Sequence, residues 1–208
     1  MRDEPKHTDD GEPRIDRSAF SVLNSFAEAD AADRAYWFSR TPQERVRHME
    51  YLRRQNYGSR ATERLPEFLR LLRTHGVEYL LIGGWAVGYH GYPRSTDDLD
   101  VWIAIAPANA DRVVKALSDF GFDVPELSAD LFLQNDQIVR MGVEPVRIEV
   151  MTTISGVDFS DCYRERLETT LDDEPVSLIN LHHLRLNKKA SGRLKDLADL
   201  ENLPEDPS

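Results

Sequence analysis

Two glycines followed by a pair of aspartates, within residues 83–100, constrain this chain more than any other stretch. The apolar run 77–82 before them is short and rich in strand formers, so it predicts a buried strand that ends at Gly83 and Gly84. A strand that ends in two glycines and opens into a helix places backbone N–H groups where no side chain blocks an anion. The sequence therefore predicts a phosphate-binding turn at this point.

The aspartates begin a second predicted strand, residues 98–105. Because side chains alternate along a strand, Asp98 and Asp100 face one side, while Leu99, Val101, Ile103 and Ile105 face the other. Two neighbouring carboxylates repel each other unless a cation joins them, and hard oxygen ligands suit Mg²⁺, with Mn²⁺ as its substitute. The pattern predicts a divalent metal site.

This combination of a glycine pair, thirteen residues and Asp-hydrophobic-Asp resembles the motif of the nucleotidyltransferase superfamily that includes DNA polymerase beta. It is most similar to the minimal bacterial members of toxin–antitoxin and abortive-infection type, which share elements like His90-Gly91 and Arg94-x-Thr96-x-Asp98. The resemblance covers residues 65–203. It implies an α/β (α+β) nucleotidyltransferase fold, with a small mixed sheet flanked by helices.

A third carboxylate comes from the predicted strand 146–151, in which Val146, Ile148 and Val150 face one side. Glu149 stands alone among apolar neighbours, so we expect it to be paired. The family resemblance implies that Glu149 joins Asp98 and Asp100 as a catalytic and metal-binding residue. Relatives commonly carry Asp there, and Glu is longer by one methylene.

The segment 187–199 is similar to the C-terminal helix–Gly–helix motif of the same family. Lysine can bind a triphosphate as a compact point charge, and arginine can bind it through the paired N–H donors of its planar guanidinium. The resemblance implies that nucleotide binding involves Gly83 and Gly84 together with Arg94, Thr96, Lys188 and Arg193, and Lys188 is the first choice for a phosphate contact. The adjacent pair His182-His183 points in two directions on a helix and does not predict a metal site.

Outside these motifs the periodicity predicts a helix that begins at Leu65 and is closed by His75-Gly76, and another after Pro107 that ends at Gly121. It also predicts a short strand at 138–141 and a short helix through Cys162 and Leu167. A further strand is predicted at 176–179.

The part before residue 65 lies outside the resemblance. Residues 1–17 predict a disordered tail, and residues 18–60 predict a helical module, in which Thr41, Pro42 and Glu44 form a capping-box helix start. The resemblance implies that residues 65–203 form the nucleotidyltransferase domain. The helical module is either a regulator or docking element, or an ordinary extension packed on the core.

The chain has 208 residues and a net charge of −11, yet residues 34–75 carry 10 basic and 4 acidic groups. This basic block is either the solvated face of helices or a contact surface for RNA or an acidic partner. No apolar run of eighteen residues and no signal peptide are seen, and Cys162 is the single cysteine. We expect a cytoplasmic protein with no membrane partner.

Together these features predict a magnesium-dependent enzyme that transfers a nucleotidyl group from a nucleoside triphosphate such as ATP to an acceptor hydroxyl. The resemblance implies transfer RNA or a partner protein as acceptor, within a toxin–antitoxin system that includes a cognate toxin or antitoxin. Two alternatives stay open. One is a non-catalytic nucleotide-binding antitoxin or regulator that acts through its N-terminal helices, and the other is an unrelated metal-dependent hydrolase.

Overall fold

A computed structural model of the chain describes residues 25–96, 98–142, 147–171 and 173–205, without the side chains of Phe26 and residues 59–63. Contacts divide the chain into two units, Met1–Asp33 and Arg34–Ser208. Of the first unit, the structure describes only residues 25–33, and the sheet and every helix from residue 42 onward lie in the second unit. The predicted tail, residues 1–17, and the predicted helix start at Ser18 lie outside the described residues.

The helices and strands follow one another along the chain in an α+β order, together with a short 3-10 turn. The elements are α1 (Phe26–Phe38), α2 (Pro42–Tyr57), α3 (Ser59–Thr74), β1 (Tyr79–Leu81), α4 (Gly83–His90), β2 (Asp98–Ile103), α5 (Pro107–Asp119), the 3-10 turn (Ala129–Leu133), β3 (Ile138–Met141), β4 (Arg147–Met151), α6 (Phe159–Arg164), β5 (Leu167–Leu171), β6 (Glu174–Leu178), α7 (Leu181–Ser191) and α8 (Leu194–Glu201).

The described strands form one six-stranded mixed sheet in the order β3-β4-β2-β1-β6-β5. Parallel pairs join β2 to β4 and β1 to β6, while β1 and β2 run antiparallel. An antiparallel hairpin closes each edge. The predicted α+β class, with a small mixed sheet and flanking helices, is confirmed.

Several local predictions are also confirmed. Thr41 caps α2 through a capping box with Glu44, and Pro42 is the first helical residue. Gly76 follows the end of α3 with a φ of 65°. Gly192 separates α7 from α8 in the left-handed conformation, as the helix–Gly–helix prediction requires.

Three boundaries differ from the predictions. Leu167 begins strand β5 instead of ending a helix, because residues 167–171 alternate and pair with β6. Strand β2 ends at Ile103, so Ile105 lies outside it and is 38% exposed; Pro107 then opens α5, where its missing N–H is tolerated. Helix α3 begins at Ser59, ahead of the predicted start at Leu65.

Helix α2 packs against α4 within the same compact unit as the sheet. A Cβ at Gly88 of α4 would lie 1.8 Å from the sulfur of Met49, so only glycine allows the two helices to approach this closely. The buried Arg45 donates from Nε to the backbone carbonyl of Tyr89 at 3.0 Å. Helix α2 is therefore part of the packed core of this unit.

Candidate active site

Strands β2 and β4 bring the three predicted carboxylates together. Asp98 and Asp100 lie on one face of β2, and the parallel register places Asp100 beside Glu149 and Asp98 beside Arg147. Neighbouring strands lie about 4.8 Å apart, so side chains in register on one face are close neighbours. The result is a cluster of negative charge at the N-terminal end of β2.

Two arginines neutralise part of this cluster. Arg147 Nη2 lies 2.8 Å from Asp98 Oδ2, and Arg147 Nε lies 3.4 Å from Glu149 Oε1. Arg140, on the edge strand β3, donates from Nε to Glu149 Oε1 at 2.8 Å. The expected pairing of Glu149 is confirmed, and its partners are these two arginines.

The pKa of Asp98 reflects that pairing. Burial acts to raise this pKa, but hydrogen bonds from Arg147 and Thr96 outweigh it and hold the pKa below the usual aspartate value. Thr96 Oγ1 lies 3.0 Å from Asp98 Oδ1 and donates to it. Asp98 is therefore ionised throughout the neutral range.

Asp100 is in a different environment. Among the described residues its carboxylate has no hydrogen-bond or ion-pair partner, and it packs against the backbone of Gly83. Burial raises its pKa to about 6, and the negative charges of Asp98 and Glu149 add to the effect. A half-buried carboxylate without a donor is a position that a cation would stabilise.

The glycine turn lies directly against these acids. Gly83 has a φ of 63°, and a Cβ there would lie 1.8 Å from Asp100 Oδ2. A Cβ at Gly84 would lie 2.4 Å from Thr96 Oγ1. Helix α4 begins at Gly83, so its N-terminal amides and the positive end of its dipole lie beside the carboxylates.

Three predicted phosphate-binding cations are already engaged with carboxylates. Lys188 is buried, and its Nζ lies 2.6 Å from Asp196 and 2.9 Å from Asp199. Arg94 makes a two-pronged pair with Asp199, at 3.0 and 3.2 Å. Arg193 pairs with Asp196 at 2.6 Å, although its own side chain is 76% exposed. Their assignment to phosphate binding stays a prediction.

Lys195 acts electrostatically on the cluster and was not predicted from the sequence. This exposed residue of α8 has no hydrogen-bond or ion-pair partner among the described residues, and its charge acts to lower the pKa of both Asp98 and Asp100. The pairing of Arg147 and Arg140 with the carboxylates was not predicted either. The sequence does carry a signal for Arg147, because it lies two residues before Glu149 and therefore on the same face of β4.

The residues present fit a divalent cation by their chemistry. The cluster offers carboxylate oxygens, which Mg²⁺ and Mn²⁺ prefer, and the Asp100 carboxylate makes no hydrogen bond or ion pair within the described part of the chain. Within residues 25–96, 98–142, 147–171 and 173–205, no group of three His, Cys, Asp or Glu side chains is already arranged to hold a metal. In this arrangement Asp98 pairs with Arg147, and Glu149 pairs with Arg140 and Arg147.

No protein-family model matches the chain, and a search of curated proteins finds no significant match. In the part of the chain that the structure describes, none of the helices has the length and apolar character needed to span a membrane.

Proposed function

We propose that this protein is a divalent-metal-dependent nucleotidyltransferase that moves a nucleotidyl group from a nucleoside triphosphate, such as ATP, to an acceptor hydroxyl. The observation that carries the proposal is the contact of Asp100 with Gly83, which joins a carboxylate cluster to a glycine-opened helix N-terminus. A triphosphate with its cation needs both features, because the cation requires carboxylates and the phosphates require N–H donors.

In this proposal Asp98 and Asp100 hold the cation, and Glu149 completes the ligand set. The cation, when bound, would neutralise triphosphate charge and favour deprotonation of the acceptor hydroxyl. Amides of Gly83 and Gly84 would bind phosphate oxygens, and Lys195 would offset charge on the departing pyrophosphate. The acceptor oxygen would form the new bond to the α-phosphorus as the bond to pyrophosphate breaks, and Glu149 would take the hydroxyl proton.

Acceptor identity is left to experiment, because the basic block 34–75 is not one free surface. Arg45 and Arg53 are buried, and Arg70 and Arg73 both pair with Glu174. What remains exposed, including Arg47, is compatible with RNA or with an acidic protein surface. Transfer RNA and a partner protein of a toxin–antitoxin system are thus the two acceptors to test.

A second candidate function is favoured by Arg147. Its pairs with Asp98 and Glu149 already supply a positive charge to the cluster, as expected for a fold that binds a nucleotide or partner without transferring anything. Such a protein would act as an antitoxin or regulator. It would form a stable complex with its partner and release no pyrophosphate.

The experiment supplies each of the four α-labelled nucleoside triphosphates with Mg²⁺ to total transfer RNA and to total cell protein. Asp98→Asn and Asp100→Asn keep side-chain size but remove charge, and we expect each to reduce label transfer at least about 100-fold. Asp111→Asn, at an exposed carboxylate of α5, is the matched control and should transfer like the wild type.

Label in RNA or in protein identifies the acceptor class. Transfer that survives in Asp100→Asn contradicts the catalytic assignment. Absence of label with folded wild-type protein favours the regulator.

A further inference from the structure

We propose that Arg53 of α2 is a positioning residue for the site: it fixes the backbone at Thr96, and Thr96 in turn holds Asp98. The inference rests on the proposed function only in giving Asp98 its role. It assigns α2, which precedes the sheet in the chain and lies outside the family resemblance, an effect on metal binding that passes through Thr96.

Arg53 is buried to 1% exposure in the core between α2 and α4. Its Nη1 donates to the backbone carbonyl of Thr96, 43 residues further along the chain. The guanidinium also lies over the ring of Trp85, 5.6 Å from the centroid. Burying an arginine is costly unless its donors are satisfied, so this contact holds the side chain and the Thr96 carbonyl together.

Thr96 passes this restraint to the carboxylate. It is 2% exposed, and its Oγ1 donates to Asp98 Oδ1 at 3.0 Å. On its other side the hydroxyl packs against Gly84, where there is no room for a Cβ. Thr96 is thus held between Arg53 and the glycine turn. Its hydroxyl restrains Oδ1 of Asp98, while Arg147 Nη2 holds Oδ2 at 2.8 Å.

A weaker contact from α2 reaches the same loop. Asn56 Nδ2 donates to Ser95 Oγ at 3.3 Å, and Asn56 is exposed. Arg45, the other buried arginine of α2, instead donates to the carbonyls of Trp37, Arg40 and Tyr89. Arg45 and Arg53 are therefore both buried and both lie in α2, but only Arg53 contacts the loop before Asp98.

The experiment compares Arg53→Met with Arg45→Met. Mn²⁺ binding is measured by calorimetry, and amide hydrogen exchange is measured for residues 94–96. A partner that orients a metal ligand typically changes metal affinity about 10- to 100-fold, so we expect Arg53→Met to weaken Mn²⁺ binding at least about tenfold. Exchange at residues 94–96 should rise in the same variant. Arg45→Met should lose stability but leave both readouts at the wild-type level.

Two further variants keep the test decisive. Arg53→Lys retains a charge and one donor, and should recover part of the Mn²⁺ affinity. If Arg53→Met does not fold, Asn56→Ala removes only the exposed bond to the same loop, and we expect about two- to threefold weaker Mn²⁺ binding from the loss of one hydrogen bond.

The inference is overturned if folded Arg53→Met binds Mn²⁺ like the wild type, or if Arg45→Met weakens binding equally. Failure of the proposed function looks different, since the wild type itself would then bind no Mn²⁺. In that case the exchange comparison still decides whether Arg53 fixes the loop, and unchanged exchange in Arg53→Met overturns the inference.

Discussion

Gly83→Ala tests how closely the glycine turn and the carboxylate cluster are coupled. The new Cβ would lie 1.8 Å from Oδ2, 2.6 Å from Cγ and 2.8 Å from Cβ of Asp100, so the aspartate must move. Gly76→Ala is a matched control, because Gly76 has a nearly identical φ of 65° but nothing within 4 Å of its Cβ position. The two variants share the cost of the left-handed backbone and differ only in the collision.

The shared backbone cost is about 1–2 kcal/mol. Relieving the collision in Gly83→Ala adds about 1–3 kcal/mol, as for other overpacked sites. We therefore expect Gly83→Ala to lower the free energy of unfolding by about 2–5 kcal/mol and Gly76→Ala by about 1–2 kcal/mol, measured by urea unfolding. Displacing Asp100 by about 1 Å should also reduce nucleotidyl transfer about 100-fold, whereas Gly76→Ala should transfer normally.

Equal losses of stability in the two variants, together with normal transfer by Gly83→Ala, would refute this reasoning. They would mean that Asp100 does not lie against Gly83 in solution. An intermediate control is Gly83→Ala combined with Asp100→Ala, which removes the two closest collisions and should cost less than the sum of the single changes.

Three further predictions concern the charged groups. Because burial raises the pKa of Asp100 to about 6, metal-free protein should lose stability as pH rises from about 4 through 6 and this buried carboxylic acid ionises. In buffer with a chelator, Asp100→Asn should therefore raise the free energy of unfolding by about 2–3 kcal/mol at pH 7 and leave it unchanged at pH 3.5. Equal gains at both pH values would contradict this. Lys188→Met leaves Asp196 and Asp199 without their buried lysine and should lower the free energy of unfolding by about 3 kcal/mol. If transfer falls while stability is unchanged, Lys188 is a phosphate contact instead. Lys195→Ala should raise the KM for the triphosphate at least about tenfold in steady-state transfer assays, because a charged contact is lost. Lys189→Ala, at an exposed lysine of α7, should leave the KM unchanged. Equal KM values in the two variants would exclude Lys195 from the site.

Local chemistry in the sequence predicted a large part of this structure. The capping box at Thr41, the strand-to-helix turn at Gly83 and the glycine between α7 and α8 each follow from a few neighbouring residues, and each is found as expected. The strand at Leu167 was missed because its identity depends on its hairpin partner β6. A short segment does not carry that information by itself.

The sequence by itself determined that Asp98 and Asp100 share one face of a strand, because alternation along a strand is a local property. Only the tertiary structure decided that Glu149 lies beside Asp100, since the register of β2 with β4 brings together residues 49 positions apart. It also decided which cations are engaged: Lys188 is buried between two aspartates, Arg147 pairs with Asp98, and Lys195 is left exposed. Charge pairing depends on distances across the fold, and spacing along the chain does not give those distances.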